Sequence, residues 1–292
     1  IVVAPSQTLG DKEYQMLRTS ALNIITELDV HGGCNVQYAL NPDSFEYCVI
    51  EVNPRVSRSS ALASKATGFP IALVSAMLAA GLTLDEIPCG VHGTLDKYVP
   101  GGDYVVIKFA RWAFEKFKDA QDKLGTQMRA VGEVMSIGKT YKEAFQKAIR
   151  SLEIGRYGLG FAKDFHDKTK DELLAMLVEP TSERQFIMYE ALRKGATVEE
   201  LYNLTKIKHY FIEQMKELVE EEEALLAKKG ETLDKDTMEQ AKKDGFSDRY
   251  LSKLLEVPED DIRNTRLGYG ITESWEPVHV SGTCLLYTSD AA

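Results

Sequence analysis

The spacing of apolar residues changes several times in the first half of the chain, which predicts both helices and strands. A run at helical spacing extends from Tyr14 to Leu28, and Asp11 precedes it as a candidate N-cap. A pair of glycines then interrupts this pattern. A hairpin is predicted next, because the short apolar stretches on either side of Ser44 can pair as antiparallel strands.

Helical sequence follows Pro54 and is predicted to continue to about Ala80, where a glycine can end it. The four residues from Thr83 form a capping-box pattern, which predicts a further short helix. The segments 103–109 and 131–138 are rich in β-branched and aromatic residues and are therefore predicted strands. This mixture indicates an α/β or α+β segment over residues 1–139.

The second half of the chain, residues 140 to about 275, has apolar stripes almost entirely at helical spacing. Thr140 and Thr197 each begin a capping-box pattern, and residues 207–228 predict a longer helix. The acidic run at 220–223 on that helix is interpreted as a solvated face, because adjacent helical residues point in different directions. An all-α region is therefore expected.

Polar positions in the predicted hairpin suggest a metal site. Antiparallel pairing about Ser44 places Gln37 opposite Glu51 and position 35 opposite Asn53. Directly opposed residues lie roughly 4.5–5.5 Å apart at Cβ, so these oxygen-bearing side chains can converge on one or two cations. Magnesium prefers such oxygen ligands and leaves positions for water and substrate phosphate.

Two arginines follow the hairpin directly. Arg55 and Arg58 are positioned to face phosphate charge, and the small residues at 59–68 suit a tightly packed helix start beside a bound phosphate. Pro54 ends the strand ladder because it has no N–H to donate. The alternative is an ordinary edge hairpin with a solvated polar face, followed by a packed helix.

Three motifs of the chain resemble those of the large subunit of carbamoyl-phosphate synthase, a member of the ATP-grasp ligases. They are NVQ at 35–37, EVNPR at 51–55 and SKATG at 64–68. The resemblance extends over nearly the whole chain. Residues 55–65 are similar to the first of the two synthetase halves of that family, the half that makes carboxyphosphate.

The resemblance implies a fold and a domain division. Residues 1–139 are expected to be the C-terminal part of an ATP-grasp domain, a mixed sheet with helices, and residues 140–283 a helical oligomerisation domain. Residues 284–292 resemble a translated sequencing adapter and are interpreted as a non-native tail. Coding sequence upstream of Ile1 is also expected, because the chain starts without methionine.

The resemblance further implies an activity, the ATP-dependent phosphorylation of bicarbonate on the way to carbamoyl phosphate. Gln37, Glu51 and Asn53 match the family's ligands for magnesium or manganese, and they help to bind ATP. Arg55 matches its phosphate-contacting arginine, with Arg58 as a companion. A potassium site is also implied for the family, and this chain holds only part of its ligand set.

Ammonia for this reaction is implied to come from a glutaminase small subunit, and the helical domain is implied to form homo-oligomers. The product would serve arginine or pyrimidine biosynthesis. The chain alone is expected to be inactive. Two alternatives remain: another ATP-grasp carboxylate–amine ligase, such as a biotin-carboxylase-like enzyme, or a non-catalytic oligomerisation module.

Composition excludes several other functions. The net charge is -10, and residues 140–292 hold 22 basic against 30 acidic side chains, which disfavours nucleic-acid and anionic-membrane partners. No apolar run approaches the roughly 18 residues of a membrane span. The four cysteines have no paired spacing, which predicts reduced thiols in a cytoplasmic enzyme without a zinc site.

Overall fold

The computed structural model describes residues 1–89, 93–98, 101–117, 119–161, 165–275, 277–280 and 284–287. These residues form two compact units. The helical unit comprises Ile1–Pro5 and Tyr104–Ser274. The hairpin unit comprises Ser6–Asp103 together with the described residues between Trp275 and residue 287.

Strands and helices alternate in the first half and helices dominate the second. The strands are β1 (Val2–Ala4), β2 (Asn35–Leu40), β3 (Tyr47–Asn53), β4 (Val105–Arg111), β5 (Gly132–Gly138), β6 (Pro277–Val280) and β7 (Cys284–Tyr287). The helices are α1 (Asp11–Glu27), α2 (Arg58–Thr67), α3 (Ile71–Ala79), α4 (Tyr141–Ser151), α5 (Lys170–Met176), α6 (Arg184–Arg193), α7 (Val198–Thr205), α8 (His209–Leu226), α9 (Lys235–Lys243), α10 (Asp248–Leu255) and α11 (Glu259–Gly268).

The sheet of the helical unit is antiparallel in the order β1-β4-β5. The predicted strands at 103–109 and 131–138 are confirmed, with β4 shifted by two residues. Ile107 and Phe109 of β4 are buried, and Phe109 lies 6.0 Å from Phe145 of α4 between ring centroids. The sheet therefore shares its apolar core with the first helix of the second half.

This shared core crosses the predicted domain boundary between residues 139 and 140. β4 and β5 were assigned by sequence to residues 1–139, but they form a compact unit with the helices that follow. The division into 1–139 and 140–283 remains a prediction, as does the tail at 284–292. Cys284–Tyr287 of that tail pairs with β6, and residues 288–292 lie outside the described residues.

The predicted helical character of residues 140–275 is confirmed by α4 to α11. The side chains of Thr140 and Thr197 accept hydrogen bonds from the backbone N–H three residues later, as N-caps do. The interpretation of the acidic run at 220–223 as a solvated face is wrong for Glu222. That side chain is 0% exposed, because α8 turns it towards Tyr189 and Tyr250.

Three local predictions in the hairpin unit are also corrected. The helical stretch expected to reach Ala80 is two helices, because Gly68 (φ 71°) ends α2 in the left-handed region and Pro70 precedes α3. The capping box at Thr83 is formed, with its N–H donating to Glu86 Oε2 at 2.9 Å, but it closes only a single turn. Gly10 is the N-cap of α1, and Asp11 is the first helical residue.

No single helix in the described ranges is both long and apolar enough to cross a membrane. The pair α2 and α3 together passes that test of length and composition, but the two helices meet at 115°.

Candidate functional site

The hairpin of β2 and β3 brings the predicted metal ligands onto neighbouring strands. Gln37 lies opposite Glu51, and Asn35 lies opposite Asn53. This register is the one that the sequence predicts. Opposed residues in such a pair lie roughly 4.5–5.5 Å apart at Cβ, close enough for their side chains to share one small ligand.

A β-bulge lies directly beside these pairs. The register shifts between Gln37 and Tyr38, and the next pair is Tyr38 with Val49, which leaves Ile50 as the extra residue of β3. A bulge bends its strand and increases the local twist, so it re-aims the side chains beside it. The sequence prediction of one continuous register about Ser44 therefore fails beyond Gln37.

Glu51 and Asn53 are joined by a side-chain hydrogen bond. Asn53 Nδ2 donates to Glu51 Oε1 over 3.0 Å, which orients the amide and the carboxylate on the same strand. The Asn53 Oδ1 and Glu51 Oε2 atoms accept no hydrogen bond from the described residues. Since Glu51 is exposed and Asn53 half-buried, these two oxygens remain available to an incoming ligand.

The chain then turns sharply into α2. The Arg55 N–H donates to the Asn53 carbonyl at 2.8 Å, and Ser57 forms the N-cap of α2. Ser57 N donates to Ser60 Oγ at 3.1 Å, while the hydroxyls of Ser57 and Ser59 lie 2.6 Å apart. Sequence reasoning missed Ser57, although serine is one of the preferred N-cap residues.

Arg55 and Arg58 are both exposed. Within the described ranges neither guanidinium forms an ion pair, so neither positive charge is neutralised by a carboxylate there. The structure therefore places Gln37, Glu51 and Asn53 on paired strands, with the two arginines following in the turn and at the start of α2. It records no contact between either arginine and Glu51.

The donor set fits a hard divalent cation by its chemistry. Among the residues that the structure describes, no three histidine, cysteine, aspartate or glutamate side chains cluster as a metal site. The hairpin instead offers one carboxylate and two amide oxygens, which suit magnesium or manganese better than zinc. Such a set leaves coordination positions open for phosphate and water.

Comparison with known protein families gives two matches. Residues 1–87 match the family described as "Carbamoyl-phosphate synthase L chain, ATP binding domain". Residues 133–270 match the family described as "Carbamoyl-phosphate synthetase large chain, oligomerisation domain". The first match contains the whole hairpin and its arginines. The second contains α4 to α11, which supports the predicted order of a partial ATP-grasp domain and a helical domain.

Curated relatives agree over nearly the whole chain. The "Carbamoyl phosphate synthase large chain" of Clostridium botulinum (strain Eklund 17B / Type B) is 49% identical over 283 residues, which cover 97% of this chain and 26% of the relative. The protein of the same name from Clostridium perfringens (strain 13 / Type A) gives the same identity and coverage.

A shorter archaeal relative matches as well. The "Carbamoyl phosphate synthase large chain, N-terminal section" of Methanopyrus kandleri is 49% identical over 291 residues, which cover 95% of this chain and 52% of the relative. The chain thus spans about a quarter of the clostridial relatives and about half of the archaeal one. Two matched domains in the same order and this identity show that the chain belongs to the carbamoyl-phosphate synthase large-chain family.

Proposed function

We propose that, within a longer large chain, this segment helps to transfer the γ-phosphoryl group of ATP to bicarbonate during carbamoyl phosphate synthesis. The match of residues 1–87 to an ATP-binding domain supports the use of ATP. The pairing of Gln37 with Glu51, next to Asn53, is the observation that carries the proposal. It supplies oxygen ligands within the stretch that matches an ATP-binding domain.

Gln37, Glu51 and Asn53 are the proposed ligands of magnesium or manganese in this reaction. A bound metal ion would supply neutralisation of phosphate charge. The hydrogen bond from Asn53 holds Oε1 of Glu51 in place, and Oε2 of the same carboxylate accepts no hydrogen bond from the described residues. Preorganisation of this kind reduces the reorganisation that phosphate binding requires.

Arg55 and Arg58 are the proposed phosphate-contacting residues. A guanidinium group can donate two parallel hydrogen bonds to a phosphate, and neither of these arginines is engaged by a carboxylate in the described part of the chain. Both lie within one turn of the Ser57 N-cap, where the positive end of α2 also favours an anion.

In the proposed step, a bicarbonate oxygen attacks the γ-phosphorus and the bond to the ADP leaving oxygen breaks, which gives carboxyphosphate and ADP. Phosphoryl transfer of this kind depends on positioning and on charge stabilisation, so no protein nucleophile is needed. Ammonia from a glutaminase subunit would then displace phosphate to give carbamate. A second ATP-dependent phosphorylation of carbamate would complete the synthesis.

The test is Glu51→Gln in the intact large chain, assayed for bicarbonate-dependent ATP hydrolysis. We expect a loss of about 100-fold or more, because the substitution removes the one carboxylate charge of the ligand set. Glu46→Gln is the matched control, since Glu46 is an exposed glutamate at the turn of the same hairpin. A Glu51→Gln enzyme that hydrolyses ATP at the wild-type rate would remove Glu51 from this role.

A second function concerns the helical unit. The oligomerisation-domain match over residues 133–270 supports self-association through this unit. We expect the 292-residue chain to sediment as a species larger than a monomer and to show no bicarbonate-dependent ATP turnover. Sedimentation velocity and an ATPase assay on one preparation measure both. A monomer at all concentrations would contradict self-association, and robust turnover would contradict the expected inactivity.

A further inference from the structure

The helical unit contains a cavity of about 380 Å³, and none of the proposed site residues of the hairpin lines it. Its walls are mostly apolar and aromatic, with Trp112, Tyr141, Met188 and Phe211 among them. Ligand sites in proteins typically have this size and this kind of wall, with a few polar groups that fix orientation. The question is therefore which polar groups the cavity offers.

Two cationic side chains, Arg184 and Lys208, line the cavity, and Ile1, which carries the α-amino group of the 292-residue chain, lines it as well. Arg184 donates one hydrogen bond, from Nη2 to the Thr205 carbonyl at 2.9 Å. Its Nε atom is buried and has no hydrogen-bond partner in the described part of the chain. Neither Arg184 nor Lys208 forms an ion pair with a carboxylate there. Burial lowers the pKa of the Arg184 guanidinium, because no neighbouring anion opposes the loss of hydration.

Most other partly buried cations of this unit do have a carboxylate partner. Lys142 Nζ lies 3.0 Å from Asp244, Lys170 lies 2.7 Å from Glu200, and Arg266 lies 3.0 Å from Asp248. Acidic side chains outnumber basic ones by 30 to 22 in residues 140–292. A shortage of carboxylates in this unit therefore does not explain why Arg184 and Lys208 form no ion pair in the described part of the chain.

The acidic groups beside the cavity are engaged elsewhere. Asp122 accepts hydrogen bonds from the backbone N–H and the hydroxyl of Ser182, at 2.8 and 2.5 Å. Glu183 forms an ion pair with Arg156 at 2.6 Å. The helices α6 and α8 both begin at the cavity, and their N-terminal ends add partial positive charge.

We propose that this cavity binds a small organic anion that has an apolar body. Its carboxylate contacts Arg184 and Lys208, and its apolar part packs against Trp112 and Phe211. A guanidinium group can bind a carboxylate through two parallel hydrogen bonds, which uses donors that the protein leaves without acceptors. An anion here also offsets the cost of burying Arg184 without a counter-charge. The proposal does not depend on the chemistry assigned to the hairpin.

The test uses the fluorescence of Trp112, which lines the cavity. The chain has two tryptophans, so Trp275→Phe leaves Trp112 as the only one. The probes are 4-nitrobenzoate and 4-nitrobenzamide, which have nearly the same shape and differ in charge. We expect saturable quenching by 4-nitrobenzoate and at least about tenfold weaker binding of 4-nitrobenzamide, since a charge-assisted contact is lost.

Substitutions in the Trp275→Phe chain identify the binding groups. Arg184→Gln and Lys208→Gln should each weaken 4-nitrobenzoate binding about tenfold. The Lys208 ammonium group forms no hydrogen bond in the described residues, so its substitution keeps the test valid even if Arg184→Gln fails to fold. Lys206→Gln is the matched control, because Lys206 is exposed, lies over the Tyr202 ring and does not line the cavity. It should change binding less than about twofold.

Three results would overturn the proposal. The first is the absence of saturable quenching by 4-nitrobenzoate up to about 10 mM, since weaker binding would not distinguish a site from the surface. The second is equal affinity for the benzoate and the benzamide. The third is equal weakening by Lys206→Gln and Lys208→Gln, which would indicate a general charge effect rather than a site.

Discussion

Glu222 in the helical unit and Glu51 in the hairpin unit show two opposite uses of a carboxylate. Glu222 is 0% exposed, accepts hydrogen bonds from the hydroxyls of Tyr189 and Tyr250 at 2.7 Å each, and forms an ion pair with Arg193. Glu51 is exposed and accepts one hydrogen bond, from Asn53. A carboxylate whose oxygens are all engaged stabilises a fold, whereas one with a free oxygen can bind a ligand.

The same difference extends to the apolar residues of the two units. Leu251 and Leu254 of α10 are 0% exposed, as are many side chains of the helical core. In the hairpin unit, α1 has no buried residue, and Ile50 at the bulge is 55% exposed. In this chain the helical unit therefore has a buried apolar core, while the described residues of the hairpin unit leave large apolar side chains exposed.

The largest expected effect on stability comes from comparing the same change, glutamate to glutamine, at one position in each unit. Glu222→Gln should reduce the free energy of unfolding by about 2 kcal/mol, because the hydroxyls of Tyr189 and Tyr250 lose a charged acceptor, while Arg193 keeps Glu190 and Glu223 as partners. Glu51→Gln should change it by less than about 0.5 kcal/mol, as exposed substitutions do. Thermal unfolding of the 292-residue chain, followed by far-UV circular dichroism, measures both.

Glu220→Gln provides the control within α8, because Glu220 is exposed and pairs only with Lys216 in the described ranges. Its effect should match that of Glu51→Gln. If Glu222→Gln unfolded at the temperature of Glu220→Gln, the network around Glu222 would contribute no net stability. The contrast between the two glutamates would then lie in exposure alone.

Sequence predicted the elements of both units well where apolar spacing or a cap defined them. Thr197 is the N-cap of α7, and the pairing of Gln37 with Glu51 follows from the positions of the two strands around their turn. Each of these depends on residues that are near in the sequence. The predicted order, a segment of mixed strands and helices followed by an all-helical segment, is also confirmed. It too was read from spacing between residues that are near in the sequence.

Features that depend on distant residues were not predicted. Glu222 sits in an acidic run, and only the approach of Tyr189 and Tyr250 reveals that it is buried. Gly160 lies against both Glu222 and Tyr250, where a Cβ atom would collide with them, and both of these residues are far from it in the sequence. The bulge at Ile50 appears only in the register of the two paired strands, and the spacing of residues around Ser44 did not predict it.

A smaller effect tests a third type of carboxylate, one that is partly buried and close to another acid. Glu221 follows Glu220 on α8, and burial together with the nearby Asp244 carboxylate raises its pKa to about 8. Lys142 opposes this shift, with its Nζ 3.0 Å from Asp244 and 3.2 Å from Glu217. The folded chain therefore keeps a proton on Glu221 that the unfolded chain releases near pH 4.5.

The sign of the pH dependence follows from this difference. Between about pH 4.5 and 8 the folded state binds more protons than the unfolded state, so the contribution of Glu221 to stability falls as the pH rises. Glu221→Gln removes that loss. We expect the variant to match the wild type near pH 4.5 and to be more stable by about 1 kcal/mol above pH 8, after allowance for solvent screening.

Urea denaturation at a series of pH values measures this difference, with Glu220→Gln as the neighbouring control on the same helix. Glu220→Gln should shift the curve by the same small amount at all pH values, because the Glu220 side chain is exposed. A Glu221→Gln curve parallel to the wild type would mean that Glu221 is ionised in the folded chain at neutral pH. Glu221 would then belong with Glu51 as a solvated carboxylate, and the helical unit would hold a single buried glutamate on this stretch of α8.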